Sequence, residues 1–314
     1  MRKILITGAF GQIGTELSQV LQELYGFDNV VVSGLEHSVK EELIDGVLEV
    51  VDVTNGNQLL NVVKKYQVDT IIHLAALLSA VGEKYPQKLW DVNMNGLYNV
   101  LEVGRISGAS IFTPSSIAAF GPTTPADNTP QDTIQRPSTI YGVSKVSGEL
   151  LCDYYFLKYG VDTRGVRFPG LISNTALPGG GTTDYAVHIF YEAVKSKYFE
   201  CNIAAGTYMD MMYMPDAIAS IIKLMEADPS KLSHRNAFNI SSMSIEPEDL
   251  RRAILKHIPD FEMIYKVDPV KQKIAMSWPN SLDDSLARAE WDFSPEYDLE
   301  KMTADMLTSL RKKI

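Results

Sequence analysis

A chain of 314 residues, 45% hydrophobic and 22% charged, has the composition of an ordinary globular enzyme and enough apolar material to bury its own core. Its 39 acidic against 29 basic residues leave a formal charge of -10 without a lysine/arginine cluster, which excludes nucleic acid and anionic membrane as natural partners. No apolar window is long enough to span a membrane, Cys152 and Cys201 are far apart, and the five histidines have no metal-ligand spacing; the expectation is a metal-free protein of a reducing, cytoplasmic compartment.

In chain order, the apolar run 3–7 passes directly into Thr7-Gly8, which makes it a first strand and not a signal peptide. Helical spacing follows over 14–25, through Leu17, Val20, Leu21 and Leu24. Strands are predicted at 29–33 and 48–53, a helix at 58–66, a strand at 70–74, a helix at 90–104 and a strand at 110–114. Apolar strands alternating with amphipathic helices predict an α/β fold, a doubly wound parallel sheet of Rossmann type. The alternation breaks down after Phe168, and Pro178-Gly179-Gly180-Gly181 opens a less regular stretch. The expected division is a dinucleotide-binding domain over 1–170 and a smaller C-terminal substrate lobe over 171–314, with some later segments returning to the first domain.

Between the first strand and its helix stands Gly8-Ala9-Phe10-Gly11-Gln12-Ile13-Gly14. Glycines at this spacing allow a tight turn and let backbone N–H groups approach a pyrophosphate at the helix N-terminus. The loop, with Gln12 and Ile13 at the helix start, therefore predicts a bound dinucleotide. An acidic ribose partner belongs about 20 residues beyond the loop. Ser33-Gly34-Leu35 occupies that place, followed by Glu36 and His37. With no arginine there to hold a 2′-phosphate, NAD is favoured over NADP. Asp52, before Val53, is a candidate acceptor for the adenine amino group or a cap for the next turn.

Tyr141 and Lys145 lie four residues apart, which puts both on one face of a helix. A free tyrosine, with a pKa of about 10, is too weakly acidic to serve as a neutral-pH base. A nearby ammonium favours the phenolate, and lowering the pKa by roughly three units takes about 4 kcal/mol, which requires the cofactor's positive ring as well. The strand at 110–114 ends in Ser115-Ser116, whose hydroxyls point toward the ligand crevice. One of them can orient the reacting oxygen while the other caps the turn, and Ser116 is the candidate for the chemistry.

These residues together resemble the extended short-chain dehydrogenase/reductases, in which the glycine loop, the serine-bearing strand and Tyr-x-x-x-Lys occur in this order. Asn93 matches the asparagine that this family uses near the nicotinamide ribose. The nucleotide-sugar epimerases of the family carry an arginine where this chain has Met209, and an asparagine near Arg167-Phe168-Pro169-Gly170 that is missing here. The strings His73-Leu74-Ala75-Ala76-Leu77-Leu78-Ser79, Gly179-Gly180-Gly181-Thr182-Thr183-Asp184, Met211-Met212-Tyr213-Met214-Pro215-Asp216 and Ser277-Trp278-Pro279 instead resemble the short-chain L-threonine 3-dehydrogenase family. That resemblance implies an NAD cofactor held by Gly8, Gly11, Gln12, Ile13, Gly14, Asp52, Val53, Leu74, Ala75, Ala76, Asn93, Tyr141, Lys145 and Pro169. It implies L-threonine as substrate, lined by Ser79, Ser116, Tyr141, Gly181, Thr182, Asp184 and Trp278, and a homodimer formed by helices of the large domain. Structural alternatives stand beside it: Trp278 as a core aromatic, Asp184 as a helix cap. The one departure is Gly34, where that family carries the ribose aspartate, and it bears on cofactor affinity more than on reaction type. An epimerase, or a non-catalytic dinucleotide sensor, is the competing reading.

Overall fold

A computed structural model describes residues 1–38 and 46–314. The chain runs β1 (Ile4–Thr7), α1 (Gln12–Tyr25), β2 (Val30–Gly34), β3 (Val47–Val50), α2 (Gly56–Tyr66), β4 (Thr70–His73), α3 (Ser79–Lys84), α4 (Pro86–Trp90), α5 (Gly96–Ser107), β5 (Ser110–Phe112) and β6 (Ser115–Ser116). Then come α6 (Ile140–Tyr159), β7 (Thr163–Arg164), β8 (Val166–Phe168), β9 (Gly170–Ile172), α7 (Tyr185–Lys195), β10 (Tyr198–Cys201), β11 (Met209–Tyr213) and α8 (Met214–Glu226). The last elements are β12 (Phe238–Asn239), β13 (Met243–Ile245), α9 (Pro247–Leu255), β14 (Glu262–Tyr265), α10 (Pro269–Ala275), α11 (Ser285–Trp291) and α12 (Leu299–Lys313).

Six strands form a parallel sheet in the order β3-β2-β1-β4-β5-β7, the doubly wound arrangement that the alternation predicts. Successive side chains in a strand point to opposite faces, so β1 serves two cores. Ile4 and Ile6 pack with Leu17 and Leu21 of α1 and with Ile218 and Ile221 of α8. Leu5, between them, packs on the other face with Leu59, Leu97, Leu101 and Tyr155 from α2, α5 and α6. The strands open their carboxyl ends on one edge, beneath a third apolar cluster where Tyr185, Phe190, Met211, Leu250 and Met306 hold the small lobe together.

Three elements differ from expectation. The strand predicted at 110–114 ends at Phe112, and Ser115–Ser116 form a separate short strand paired with β8. The third strand stops at Val50, because Asp52 turns the chain: its Oδ1 accepts from the backbone N–H (2.9 Å) and the hydroxyl (2.8 Å) of Thr54. The helix predicted at 90–104 is broken by a π-helical turn over Asp91–Asn95, centred on Asn93. Such turns insert an extra residue and re-aim side chains, often at functional positions.

The later half of the chain is divided between the two cores. β9, β11 and β13 make a separate three-stranded sheet, whereas β12 pairs with β8 and continues from β6. Trp291 of α11 joins the cluster on the α1 face with Phe238.

Candidate active site

The cleft at the strand ends is a cavity of about 920 Å3, large enough for a dinucleotide with a small substrate. Its floor is the glycine loop. Gly8 has φ +71°, and a Cβ there would lie 2.6 Å from the backbone nitrogen of Ala75, so only glycine lets the loop sit against β4. Helix α1 begins at an N-cap, Gly11, that offers no side-chain acceptor, and its first turn carries no acidic residue. Those N–H groups face the cavity without a capping oxygen, and Gln12 Nε2 is buried with no partner. Buried donors seek acceptors, so this end fits a dinucleotide pyrophosphate held by Gly8, Gly11, Gln12, Ile13 and Gly14.

Thr139 begins α6 by accepting from Gly142 N–H at 3.0 Å, which starts the helix one residue before Tyr141. Tyr141 and Lys145 both reach the cavity from this helix, and Ser116 reaches it from β6. Burial pushes the Tyr141 phenol up to about 12, against a hydrogen bond with Ser116 that pulls it down. Burial pushes the Lys145 ammonium down to about 8, partly offset by the charge of Glu149. Lys145 Nζ donates to the Pro114 carbonyl at 2.8 Å and stands 5.3 Å from the centre of the Tyr141 ring. The protein alone thus holds both groups toward their neutral forms, and the positive ring of a bound cofactor is what would favour the phenolate.

The two serines do not divide their labour as expected. Ser116 both caps the following turn, accepting from Ala118 N–H at 3.2 Å, and faces Tyr141. Ser115 points the other way, donating to Glu149. Glu149 also pairs with Arg167 at 2.8 Å, and Arg167 donates to the Gln131 carbonyl and to Asn239 Oδ1. This buried network braces the strand under the site.

Ser79, Leu74, Ala76, Pro169, Gly181, Thr182, Asp184 and Trp278 all lie on the cavity wall. Thr182 Oγ1 is buried without a partner, which leaves a polar atom free for a ligand. Asp184 caps the turn: its Oδ2 accepts from Gly180 N–H (2.9 Å) and Gly181 N–H (2.8 Å). Trp278 is both a wall residue and part of the small-lobe core. Ala75 supports the loop through its backbone. Asp52, Val53 and Asn93 are not on this wall. Asp52 is exposed, with its Oδ1 accepting from Thr54, and Val53 is buried where a Cβ on Gly96 would meet its methyl at 2.8 Å. Asn93 holds the loop after β4, accepting from Leu77 N–H at 2.8 Å and donating to Leu77 O at 3.1 Å, and borders a small cavity of about 30 Å3 that shares Leu74, Pro114 and Lys145 with the cleft. His73 borders the same small cavity. It is bonded through Nδ1 to Thr7 Oγ1 and driven to about 3 by burial and by Lys145, so it stays neutral.

Sequence reasoning passed over Phe10 and Glu149. Phe10 lines the cavity from inside the loop itself, and Glu149 sits one helical turn beyond Lys145, a spacing that marks the same face. Arg167 and Asn239 carry no such signal, since only the β8–β12 pairing joins them.

The family profile described as the NAD dependent epimerase/dehydratase family matches residues 4–241. The chain belongs to that family. An uncharacterised epimerase/dehydratase of Staphylococcus saprophyticus is 57% identical over all 314 residues, covering 98% of that relative. A crystal structure of L-threonine dehydrogenase from Clostridium difficile is 60% identical with a TM-score of 0.97, over 100% of this chain and 98% of that one. A monomeric L-threonine 3-dehydrogenase from a metagenome is 44% identical with a TM-score of 0.95, over 99% of each chain. As a member of the NAD-dependent epimerase/dehydratase family, the protein is a nicotinamide-dependent dehydrogenase.

Proposed function

We propose that this enzyme oxidises L-threonine at the 3-hydroxyl to 2-amino-3-oxobutanoate, with Tyr141 as general base. The observation that carries this reading is the charge of the cavity wall. Among its described residues Lys145 is the cation and Asp184 the carboxylate, and no arginine lines it. A sugar-nucleotide diphosphate calls for guanidinium groups. Met209 is fully buried at the position where an epimerase has its arginine, and Arg167 is committed to Glu149. Similarity to threonine dehydrogenases across the whole chain supports the same substrate.

The glycine loop, through Gly8, Gly11 and Gln12, would hold NAD+, which would supply the acceptor for the hydride of the substrate Cβ. Ser116 orients the hydroxyl, and Tyr141 as phenolate takes its proton while the C–O bond becomes a carbonyl. Lys145 stabilises the phenolate by charge. Thr182 and Ser79 offer polar contacts to the amino acid, and Trp278 closes the wall above it. Holding hydroxyl and base in one geometry supplies much of the rate.

The test follows reduced nicotinamide in the near ultraviolet with a panel of β-hydroxy amino acids and simple alcohols. Threonine turning over best supports the reading. Inert threonine beside an active alternative overturns the substrate, and isomerisation of a nucleotide sugar without net reduced cofactor makes the chain an epimerase. Tyr141→Phe should lose roughly a thousandfold in turnover, the usual contribution of a general base, while still binding cofactor.

The same reading includes a homodimer. Its support is a patch on the outer faces of the packed helices α5 and α6, where Ile106 is 53%, Leu150 63% and Leu157 81% exposed.

A further inference from the structure

We propose that the ring of Phe10 stands in place of the acidic ribose ligand, so that, against the preference for NAD read from the absent arginine, this enzyme reads the adenosine 2′ position weakly and binds NADH and NADPH with similar affinity; the inference rests on the dinucleotide reading of the cleft. In doubly wound sheets, an acid closing the second strand accepts from the ribose hydroxyls, and its charge repels a 2′-phosphate. Here the last residue of β2 is Gly34. The strand end is laced to the loop, because Ala9 N–H donates to Ser33 O at 3.0 Å, and to the chain beyond β3, because Val51 N–H donates to Gly34 O at 2.9 Å. Phe10 is therefore delivered directly over Gly34.

The space for an acid is already filled. A Cβ on Gly34 would stand 2.6 Å from Phe10 Cδ2 and 2.9 Å from Ser38 Oγ, closer than real Cβ contacts come. Ser38 Oγ is itself held by Leu35 O at 2.7 Å. The ring, and not the glycine, lines the cavity. Among the described residues, no acid takes the place of the missing carboxylate on the cavity wall. Asp52 Oδ1 is taken by Thr54, and Glu36 is exposed on the short turn beyond the strand. Among the described residues no arginine, lysine or acid lines the loop end of the cavity, so none of them repels a 2′-phosphate or rewards it with a guanidinium contact. A phenyl ring offers apolar contact that is indifferent to that substituent.

Phe10 and Gly34 should also behave as a coupled pair, since an acid at 34 has room only if the ring leaves. The test titrates the full-length protein with NADH and with NADPH, following nicotinamide fluorescence, alongside melting temperature as a check on folding. The wild type should bind both within about tenfold of each other. Gly34→Asp alone should weaken NADH as well as NADPH. Gly34→Asp with Phe10→Ala should recover NADH and disfavour NADPH by about a hundredfold, the scale of a like-charge penalty. Wild-type preference for NADH beyond about a hundredfold overturns the proposal on its own, whatever the variants do. So does Gly34→Asp alone gaining selectivity at full NADH affinity. A shift of the ratio by more than about tenfold in Glu36→Gln assigns the role to Glu36 and also overturns it. Failure of the wild type to bind either nucleotide overturns the dinucleotide reading itself, and this inference with it.

Discussion

Tyr141 and Lys145 face an energetic conflict that fixes how activity should depend on pH. With the phenol pushed up to about 12 and the ammonium down to about 8, the prevailing form between those values is neutral at both groups. The working form, phenolate beside ammonium, holds the same number of protons. Changing pH therefore leaves their ratio alone, and the cofactor's positive charge sets it. Below about 8 the free enzyme carries one proton too many. We expect kcat/KM to climb about tenfold per pH unit up to that point and then level off. A Lys145→Met variant should lose the plateau and keep rising, because only the tyrosine then titrates. A flat wild-type profile below that point would sink the assignment. His73 contributes nothing here, since burial keeps it neutral throughout the range.

Helix α6 and strand β8 hold the site in register, and each has a point where it should break. A Cβ on Gly142 would lie 2.2 Å from Ala118 O and 2.5 Å from Pro137 Cβ, so the helix start is pressed against the turn that follows Ser116. Gly142→Ala should cost about 2 kcal/mol in urea unfolding, as overpacking does, and lower turnover more steeply by separating Tyr141 from Ser116. Loss of activity equal to the loss of folded protein would count against that geometry. Beneath it, Glu149 and Arg167 are both nearly inaccessible. Arg167→Met leaves Glu149 as a buried charge and should destabilise by about 3 kcal/mol, whereas adding Glu149→Gln should restore most of it. Chemical denaturation of the two variants checks this, and additive losses would show that the pair is not a unit.

For the whole molecule the open surface is the α5–α6 face. Leu150 and Leu157 lie more than one and more than three turns beyond Lys145 on a helix whose other side is core, and Tyr154 lies between them, 45% exposed. A charge at the centre of such a patch disfavours its burial against a second copy. Leu157→Glu should therefore sediment as a monomer where the wild type sediments as a dimer, with fold intact by circular dichroism. A monomeric wild type, like the metagenome relative, overturns the dimer.

Local rules read the dinucleotide half well. A strand, three glycines and an amphipathic helix specify the loop because backbone conformation, peptide N–H groups and helix period are all short-range properties. Tyr141 and Lys145 were legible for the same reason, being one helical turn apart. Asp52 was visible as a residue, but the turn it makes with Thr54, which ends the strand at Val50, was not. Asn93 was visible too, yet the π-helical turn aimed it at the Leu77 backbone. What the tertiary structure alone decided are the long-range closures: Ser115 turned toward Glu149, Thr182 left unpaired on the cleft wall, and Phe10 laid over Gly34. These depend on which strands meet and how closely, and chain spacing carries no information about distances between residues that only folding brings together.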